Sequence, residues 1–374
     1  MYTQWAEETM EKILAKLEKT APAIGARFPH ATKGGEFDNR IPSWWTNGFW
    51  PGILWMAYQE TGKEEYKKIA ESVEEQMDVV LDEYDLVDHD AGFIWLLSAG
   101  ANYKLTKNEK SRIRLMKAAC FLMSRFNLKG RFIRAWNGDD RLTQGLAIID
   151  CSMNLPLLYW ASNTDGDGRF RYIAEAHAET VVKRFIREDG SVNHMVVFDP
   201  ETGEFEKVLG GQGAAPDSAW SRGASWALYG MALAYRHLKD EKYLQACRKV
   251  ADFFIESLPE DYVAHWDFRV ERTPETPRDT SAAACAACGL LELADSLGGE
   301  DGAYYKEKAY LILKSLTENY SNFDNDKDQA ILFGGTGNKP REVDVNVGLI
   351  YGDYYYMEGV SRLKGKKDIY WYSV

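Results

Sequence analysis

A chain of 374 residues with 45 Lys and Arg against 57 Asp and Glu carries a formal net charge of −12, which argues against nucleic acid and anionic membranes as partners. Hydrophobic residues make up 45% of it and aromatic residues 13%, ample for a large core, and no Pro/Gly/Ser-rich linker or low-complexity run divides it, so one domain over 1–374 is expected. No apolar run reaches the length of a membrane span, the N-terminus lacks the pattern of a signal peptide, and five cysteines, an odd number, suit a reducing compartment; the expectation is a cytoplasmic protein, monomeric or weakly self-associating.

The chain opens on an amphipathic stretch, about 2–19, with Trp5, Met10, Ile13, Leu14 and Leu17 on one face. Six times thereafter a polar or aromatic-polar cluster leads into a run that is apolar nearly all round. The openings are Trp44-Trp45-Thr46-Asn47-Gly48, Asp88-His89-Asp90-Ala91-Gly92, Asp150-Cys151-Ser152-Met153-Asn154, Trp220-Ser221-Arg222-Gly223, Asp279-Thr280-Ser281 and Tyr351-Gly352-Asp353. A helix without a polar stripe has to be surrounded by protein. The cover follows in sequence: after a short polar turn come amphipathic helices at about 64–81, 109–126, 169–186, 241–258 and 302–320. The last apolar helix, about 353–363, has no follower, and the unpaired N-terminal helix fills that place. A repeated helical hairpin of this kind predicts an all-α fold, an (α/α)6 barrel of six inner and six outer helices with the two chain ends paired.

The longer irregular stretches, about 127–149, 187–219, 259–278 and 321–349, all precede inner helices. They therefore gather at the end of the barrel where the six polar clusters lie, and long loops in a compact domain are usually functional. That end is the expected active site.

Asp150 follows Leu146-Ala147-Ile148-Ile149, and Pro156 places the helix start at about 153–155. A carboxyl ahead of that start, in an apolar collar, suits a general acid, while a helix cap is the alternative. Asp88, beside His89 and Asp90, offers a second carboxylate one hairpin earlier; a helix cap is again the alternative reading, with Asp90 as the other candidate cap, which would leave Asp88 free. Asp279 and Asp353 read as caps or core hydrogen-bond partners. Arg222, between Trp220 and Trp226 at a helix start, is the expected seat of an anionic group, helped by His194. Trp45, Trp136 and Trp266 lie in or beside mouth loops, either packed or as platforms for sugar rings. No phosphate loop, zinc-spaced His/Cys cluster or Gly-x-Ser-x-Gly elbow appears, and Cys285-Ala286-Ala287-Cys288 reads as small-residue packing in a helix, so no metal or cofactor is expected. Carboxylates, tryptophans, one Arg and one loop His point by elimination to carbohydrate chemistry.

Several segments carry a resemblance to a known family: Arg27-Phe28-Pro29-His30, the stretch Trp45-Thr46-Asn47-Gly48-Phe49-Trp50-Pro51-Gly52, Ile148-Ile149-Asp150-Cys151-Ser152-Met153-Asn154-Leu155-Pro156, Trp220-Ser221-Arg222-Gly223-Ala224-Ser225-Trp226, Arg278-Asp279-Thr280-Ser281-Ala282 and Gly352-Asp353-Tyr354-Tyr355-Tyr356. In order and from about residue 24 onward, the chain resembles the unsaturated glucuronyl hydrolases of glycoside hydrolase family 88. The resemblance implies a six-hairpin barrel acting on oligosaccharides that end in a Δ4,5-unsaturated uronate. It implies hydration of the C4=C5 vinyl ether, with Asp150 as acid/base and Asp88 as second carboxylate. It also implies a sugar site lined by Trp45, Trp136, His194, Gln212, Arg222 and Trp226. Members that favour sulfated fragments carry Ser-x-x-Ser-x-Lys before the last inner helix; here Gly334-Gly335-Thr336-Gly337-Asn338-Lys339 keeps Lys339 but has Gly at both Ser positions, which speaks against a strong sulfate preference. The alternatives are an unsaturated rhamnogalacturonyl hydrolase on pectin fragments, an inverting glycosidase on saturated sugars, and a non-catalytic sugar-binding toroid.

Overall fold

The computed structural model describes residues 2–366 and 369–371; the remaining ends of the expected 1–374 domain lie outside the described residues. Its frame is six helical hairpins. The inner positions are taken by α2 (Phe49–Thr61), then α4 (Ala91–Trp95) running through a π-helical turn (Leu96–Gly100) into α5 (Ala101–Thr106), then α8 (Leu155–Asp165), α10 (Ser221–Leu238), α12 (Thr280–Leu297) and α14 (Ile350–Leu363). Each packs on the next, and α14 packs back on α2, which closes the ring. The outer positions are α3 (Glu64–Gln76), α6 (Glu109–Ser124), α9 (Arg169–Thr180), α11 (Glu241–Glu256), α13 (Gly299–Asn319) and α1 (Tyr2–Ile24). The single-turn helix α7 (Arg141–Gln144) belongs to a mouth loop.

Burial follows the pattern of the sequence. Every residue of α14 is buried, as is every residue of α10 from Ser221 to Ala234, whereas α11 alternates buried and exposed positions as a half-covered helix must. Pairing of the chain ends is direct: α1 packs on α14, sets Tyr2 tilted and Trp5 edge-on against Tyr310 of α13, and reaches the cap residue of α3 through Glu18–Lys63 at 2.7 Å. One contiguous apolar core runs from Ala6 to Trp371. No helix among the described residues is long and apolar enough to cross a membrane.

Three of the four stretches expected to be irregular carry short antiparallel pieces, and one more pair lies before α2. Strands β1 (Thr32–Lys33) and β2 (Glu36–Phe37) pair, as do β3 (Phe126–Asn127) and β4 (Phe132–Ile133). A three-stranded sheet has the order β5–β6–β7, from Leu146–Ile148, Met195–Phe198 and Phe205–Leu209, and β8 (Gly335–Asn338) pairs with β9 (Val343–Val347). The run Met195-Val196-Val197-Phe198, β-branched and aromatic, suits the centre of that sheet. Pairing Ile148 with Met195 brings the residue two before Asp150 against the residue after His194. The sheet thus delivers two site residues from opposite sides of the chain.

Candidate active site

At the mouth where the inner helices begin lies a cavity of about 610 Å³, walled by the loops before α2, α4, α8 and α10 and by the β8–β9 hairpin. Seven of the nine expected site residues line it: Trp45, Asp88, Trp136, Asp150, His194, Gln212 and Arg222. Two stand apart. Trp226 is fully buried one turn into α10, packed on Phe93 and Tyr355 at 5.1 and 5.5 Å, so it supports the floor without reaching the cavity. Lys339 is absent from the wall because its ammonium turns onto Glu342 in the tip of the β8–β9 hairpin. Trp266 is likewise structural: its carbonyl accepts from the Ser221 N–H at 3.0 Å and so starts α10.

Asp150 sits in a 3₁₀ turn, Ile149–Met153, before α8 and does not cap that helix, whose cap position belongs to Asn154. Its Oδ2 has no hydrogen-bond partner among the described residues. Burial pushes its carboxyl up to about 7; the Arg222 charge opposes this, and Asp88 adds to it. Asp88 accepts the Asp90 N–H at 2.8 Å, while Asp90, at the cap position of α4, makes no cap bond and instead accepts from Asn154 Nδ2 at 3.2 Å. Neither aspartate side chain therefore caps α4, and a short Asx turn takes up Asp88 locally. Burial raises Asp88 as well, less one backbone hydrogen bond and the Arg125 charge. Arg125, at the end of α6, braces this loop through the carbonyls of Val87, Arg134 and Ala135 at 2.8, 2.9 and 3.0 Å.

His194 faces Asp150, Nε2 to Oδ2, at 3.7 Å. Its Nδ1 meets both the Gln212 N–H at 2.8 Å and the Gly210 carbonyl at 3.2 Å; the shorter contact makes Nδ1 the acceptor and assigns the proton of the neutral ring to Nε2, which points at Asp150. Burial holds its pKa down at about 3, so His194 is a neutral donor and not a second cation for an anionic substrate. The loop that makes this bond needs Gly211: its φ is +59°, and a Cβ there would stand 2.1 Å from His194 Nδ1.

Arg222 lines the cavity with its guanidinium already engaged. Nη1 donates to Asp279 Oδ2 at 2.5 Å and to the Thr336 carbonyl at 2.6 Å; Nη2 donates to Gln212 Oε1 at 2.7 Å and to the Gly337 carbonyl at 2.6 Å. It is sandwiched over Trp220 and Tyr351, at 4.6 and 5.4 Å from the ring centroids. Arg222 thus ties the Gln212 loop and the β8–β9 hairpin to the barrel. Asp279 serves both expected roles, capping α12 through Oδ1 to the N–H groups of Ser281 and Ala282 while Oδ2 holds Arg222. Asp353 takes the N–H groups of Ile331 and Leu332 at 2.9 and 2.8 Å, a core partner away from the cavity.

The wall also holds a second group that no sequence pattern marks as a site: His30, Arg40 and Asp344, gathered beside Tyr351. His30 Nε2 lies 3.4 Å from Asp344 Oδ2, and Arg40 lies 3.5 Å from the same oxygen while stacking on Trp44 at 4.8 Å. Asp344 adopts φ +53°, as Glu342 and Asn346 on either side adopt +50° and +58°, so β9 curls inward. These residues come from positions 30–44 and 344–351, and no local spacing announces their meeting. Asp90 carried a signal, being the third polar residue in an otherwise apolar setting. Among the described residues no group of three His, Cys, Asp or Glu side chains is placed to hold a metal ion.

The arrangement is an acid with an unsatisfied oxygen, a second carboxyl, a neutral imidazole and tryptophan faces around a sugar-sized cavity. Comparison with known proteins agrees. The model of Glycosyl Hydrolase Family 88 matches residues 16–367. The chain is 36% identical to the unsaturated chondroitin disaccharide hydrolase of Streptococcus pneumoniae (strain ATCC BAA-255 / R6), over 97% of this chain and 93% of that protein. It is 37% identical to the unsaturated glucuronyl hydrolase of Bacillus sp. (strain GL1), over 93% and 94% of the two chains. The crystal structure of the Bacillus sp. GL1 enzyme superposes with a TM-score of 0.93 at 35% identity, covering 100% of this chain and 99% of that one. On the site, the fold and the near full-length likeness together, the chain belongs to glycoside hydrolase family 88.

Proposed function

We propose that this chain hydrolyses Δ4,5-unsaturated glucuronyl oligosaccharides by hydrating the C4=C5 vinyl ether. Asp150 delivers its proton to C4, and the π electrons of C4=C5 form the new C–H bond. Positive charge develops at C5 and the ring oxygen. Water adds to C5 as Asp150, now a carboxylate, takes back a proton. The resulting hemiketal opens, the anomeric carbon becomes a free hemiacetal, and the neighbouring sugar leaves as an alcohol. One water is consumed.

The observation that carries this reading is the contrast between two carboxyls in one cavity. Asp150 is partly buried, with its Oδ2 shut from solvent and unbonded and a pKa near neutrality, while Asp88 is held by a backbone N–H. A carbon is a poor base, so a positioned acid poised near the working pH is what the step needs, a contribution of about 10²–10⁴ in rate. The neutral His194 Nε2–H stabilises the carboxylate left on Asp150 without competing for its proton. Asp88 stabilises the cationic C5 centre. Trp45 packs on Tyr351 at 4.9 Å to form an aromatic wall, and Arg222 offsets the charge of the uronate carboxylate while Gln212 orients it. The substrate's own negative charge raises Asp150 further and keeps it an acid.

Loss of the ultraviolet absorbance of the conjugated uronate, followed on lyase-generated disaccharides, is the direct assay. In heavy water deuterium appears at C4 of the product, and in ¹⁸O-water the label enters at C5. A saturated glucuronide keeps the carboxylate and the glycosidic link but lacks the double bond, and is not turned over, since binding that does not favour this transition state gives no rate. Comparable turnover of saturated and unsaturated glucuronides refutes the hydration mechanism.

A further inference from the structure

Asn154 occupies the cap position of α8 and caps nothing on its own helix. Its amide reaches to the neighbouring hairpin instead. Oδ1 accepts the N–H of Phe93, in the first turn of α4, at 2.7 Å; Nδ2 donates to Asp90 Oδ1 at 3.2 Å and to the Asp150 carbonyl at 3.1 Å. The side chain is fully buried, so all three bonds are made out of water, where losing one is costly. The two helix starts are in contact at this point: a Cβ on Gly92 would lie 2.6 Å from Asn154 Cα. The segment carrying Asp88 and Asp90 is thereby joined to the turn carrying Asp150 through one amide.

Asp90 is a third carboxyl in the cavity wall, and the reaction above assigns it no work. Facing it are Asp88 and His89 from its own loop, Asp150, Cys151 and Asn154 from the turn before α8, and Arg125 from the end of α6. We propose that Asn154 and Asp90 act as a positioning pair that sets the placement of Asp150 against Asp88 for proton transfer. Neither touches the reacting atoms. An ionised Asp90 would add a third negative charge beside Asp88 and the anionic substrate. Burial, and then the charges of Asp88 and Asp150, push its carboxyl well above the ordinary range. Asp90 therefore meets the Asn154 amide as an acid holding its proton, a fixed hydrogen-bond acceptor and no longer a competing base. This pair rests on the assignment of Asp150 and Asp88 above.

The test uses the full chain with Asn154→Ala, Asp90→Ala and Asp90→Asn, assayed on an unsaturated disaccharide well below each variant's melting temperature. Asn154→Ala and Asp90→Ala are expected to lose at least about tenfold in kcat with KM within about threefold, the signature of an effect confined to the transition state. Both also displace the alkaline limb of the pH–rate profile, because the collar that sets Asp150 has moved. Asp90→Asn keeps an acceptor oxygen before Asn154 and cannot ionise, so it runs at least about tenfold faster than Asp90→Ala. A wild-type kcat and pH profile in Asn154→Ala, with only a lower melting temperature, overturns the proposal in favour of a structural bridge. An Asp90→Asn as slow as Asp90→Ala overturns it too, since Asp90 would then act as an anion. If Asn154→Ala does not fold, the two Asp90 variants decide the matter on their own. A wild type inert on every unsaturated uronide strikes the function itself and takes the pair down with it. An active wild type that Asp150→Asn disables, beside a normal Asn154→Ala, strikes the pair alone.

Discussion

Four aspartates lie near the starts of inner helices, and they divide by side of the barrel. On the α12–α14 side, Asp279 and Asp353 are surrounded by donors: Asp279 receives backbone N–H groups on one oxygen and Arg222 on the other, and Asp353 receives one backbone N–H on each. On the α4–α8 side, Asp150 leaves an oxygen unbonded and Asp88 takes one backbone N–H, both inside the cavity. The residue type is the same, and each stands near the start of an inner helix: Asp279 at the cap position of α12, Asp353 in the first turn of α14, Asp150 in the turn before α8 and Asp88 two residues ahead of the cap of α4. What differs is hydrogen-bond satisfaction, and an unsatisfied buried carboxyl costs stability that only chemistry explains. One side of the barrel holds the fold; the other carries the carboxyls proposed to hold and move the proton.

The sharpest way to break that contrast is to neutralise each side in turn. Asp150→Asn removes the transferable proton and preserves shape, and should lower kcat by about 10²–10⁴ while KM and the melting temperature stay near wild type. Asp88→Asn should also be severely slowed, with its Asx turn largely retained. On the opposite side the effect inverts. Asp279→Ala leaves Arg222 charged, buried and unpaired and uncaps α12, so it should destabilise by about 3–5 kcal/mol in a denaturant titration. An Asp279→Ala variant that is stable and merely slow, or an Asp150→Asn that is merely unstable, would erase the distinction.

Protonation sharpens it further. Asp353 is pushed by burial up to about 8 from the unfolded value of 3.8. The folded state therefore holds this proton more tightly than the unfolded chain, so its stabilising contribution is complete in acid and is lost as pH rises from about 4 toward 8. Asp353→Asn, which gives up one acceptor oxygen but cannot ionise, should be less stable than wild type at low pH, and the gap should narrow as pH climbs. Measured by activity, the α4–α8 side behaves differently. Asp150 must be protonated, so the rate should fall as pH rises through about 7, and Asp88 must be ionised, so the rate should climb through a pKa above the ordinary 3.8. The limbs belong to the coupled pair, and Asp150→Asn should abolish the alkaline one.

How much of this was legible beforehand depends on whether the signal was local. The hairpin repeat could be read because apolar-all-round and half-polar helices alternate, down to Pro156 fixing the start of α8 at Leu155. Asp88, Asp150, Arg222 and the mouth tryptophans were legible because they interrupt apolar runs at helix starts. The strands were not, since pieces of two to five residues inside loops take their partners from afar, as β5 does from β6 about fifty residues on. Nor was the saturation of Arg222, which is made by the carbonyls of Thr336 and Gly337; a backbone acceptor leaves no trace in side-chain identity. The cluster of His30, Arg40 and Asp344 was hidden for the same reason, being assembled from two ends of the chain. Gln212 sits between these cases: its glycine-rich surroundings read as a flexible turn, and it is the glycine at 211 that lets the loop lie on His194.

Gln212 also gives the mildest test, because it touches both sides. Its backbone N–H fixes the tautomer of His194 on the acid side, and its side chain ties Arg222 on the structural side. Gln212→Ala deletes the second link and spares the first, since the donor to His194 is main chain. One hydrogen bond to a charged group is worth about 1.5–3 kcal/mol, and the freed Arg222 N–H regains part of that from water or the substrate carboxylate. The expected result is a KM raised by roughly tenfold or less, with kcat and the alkaline limb of the pH profile unmoved. A kcat loss as deep as that of Asp150→Asn would mean that the side chain of Gln212 serves the proton transfer. The boundary between the two sides would then run through Arg222, and not between Arg222 and His194.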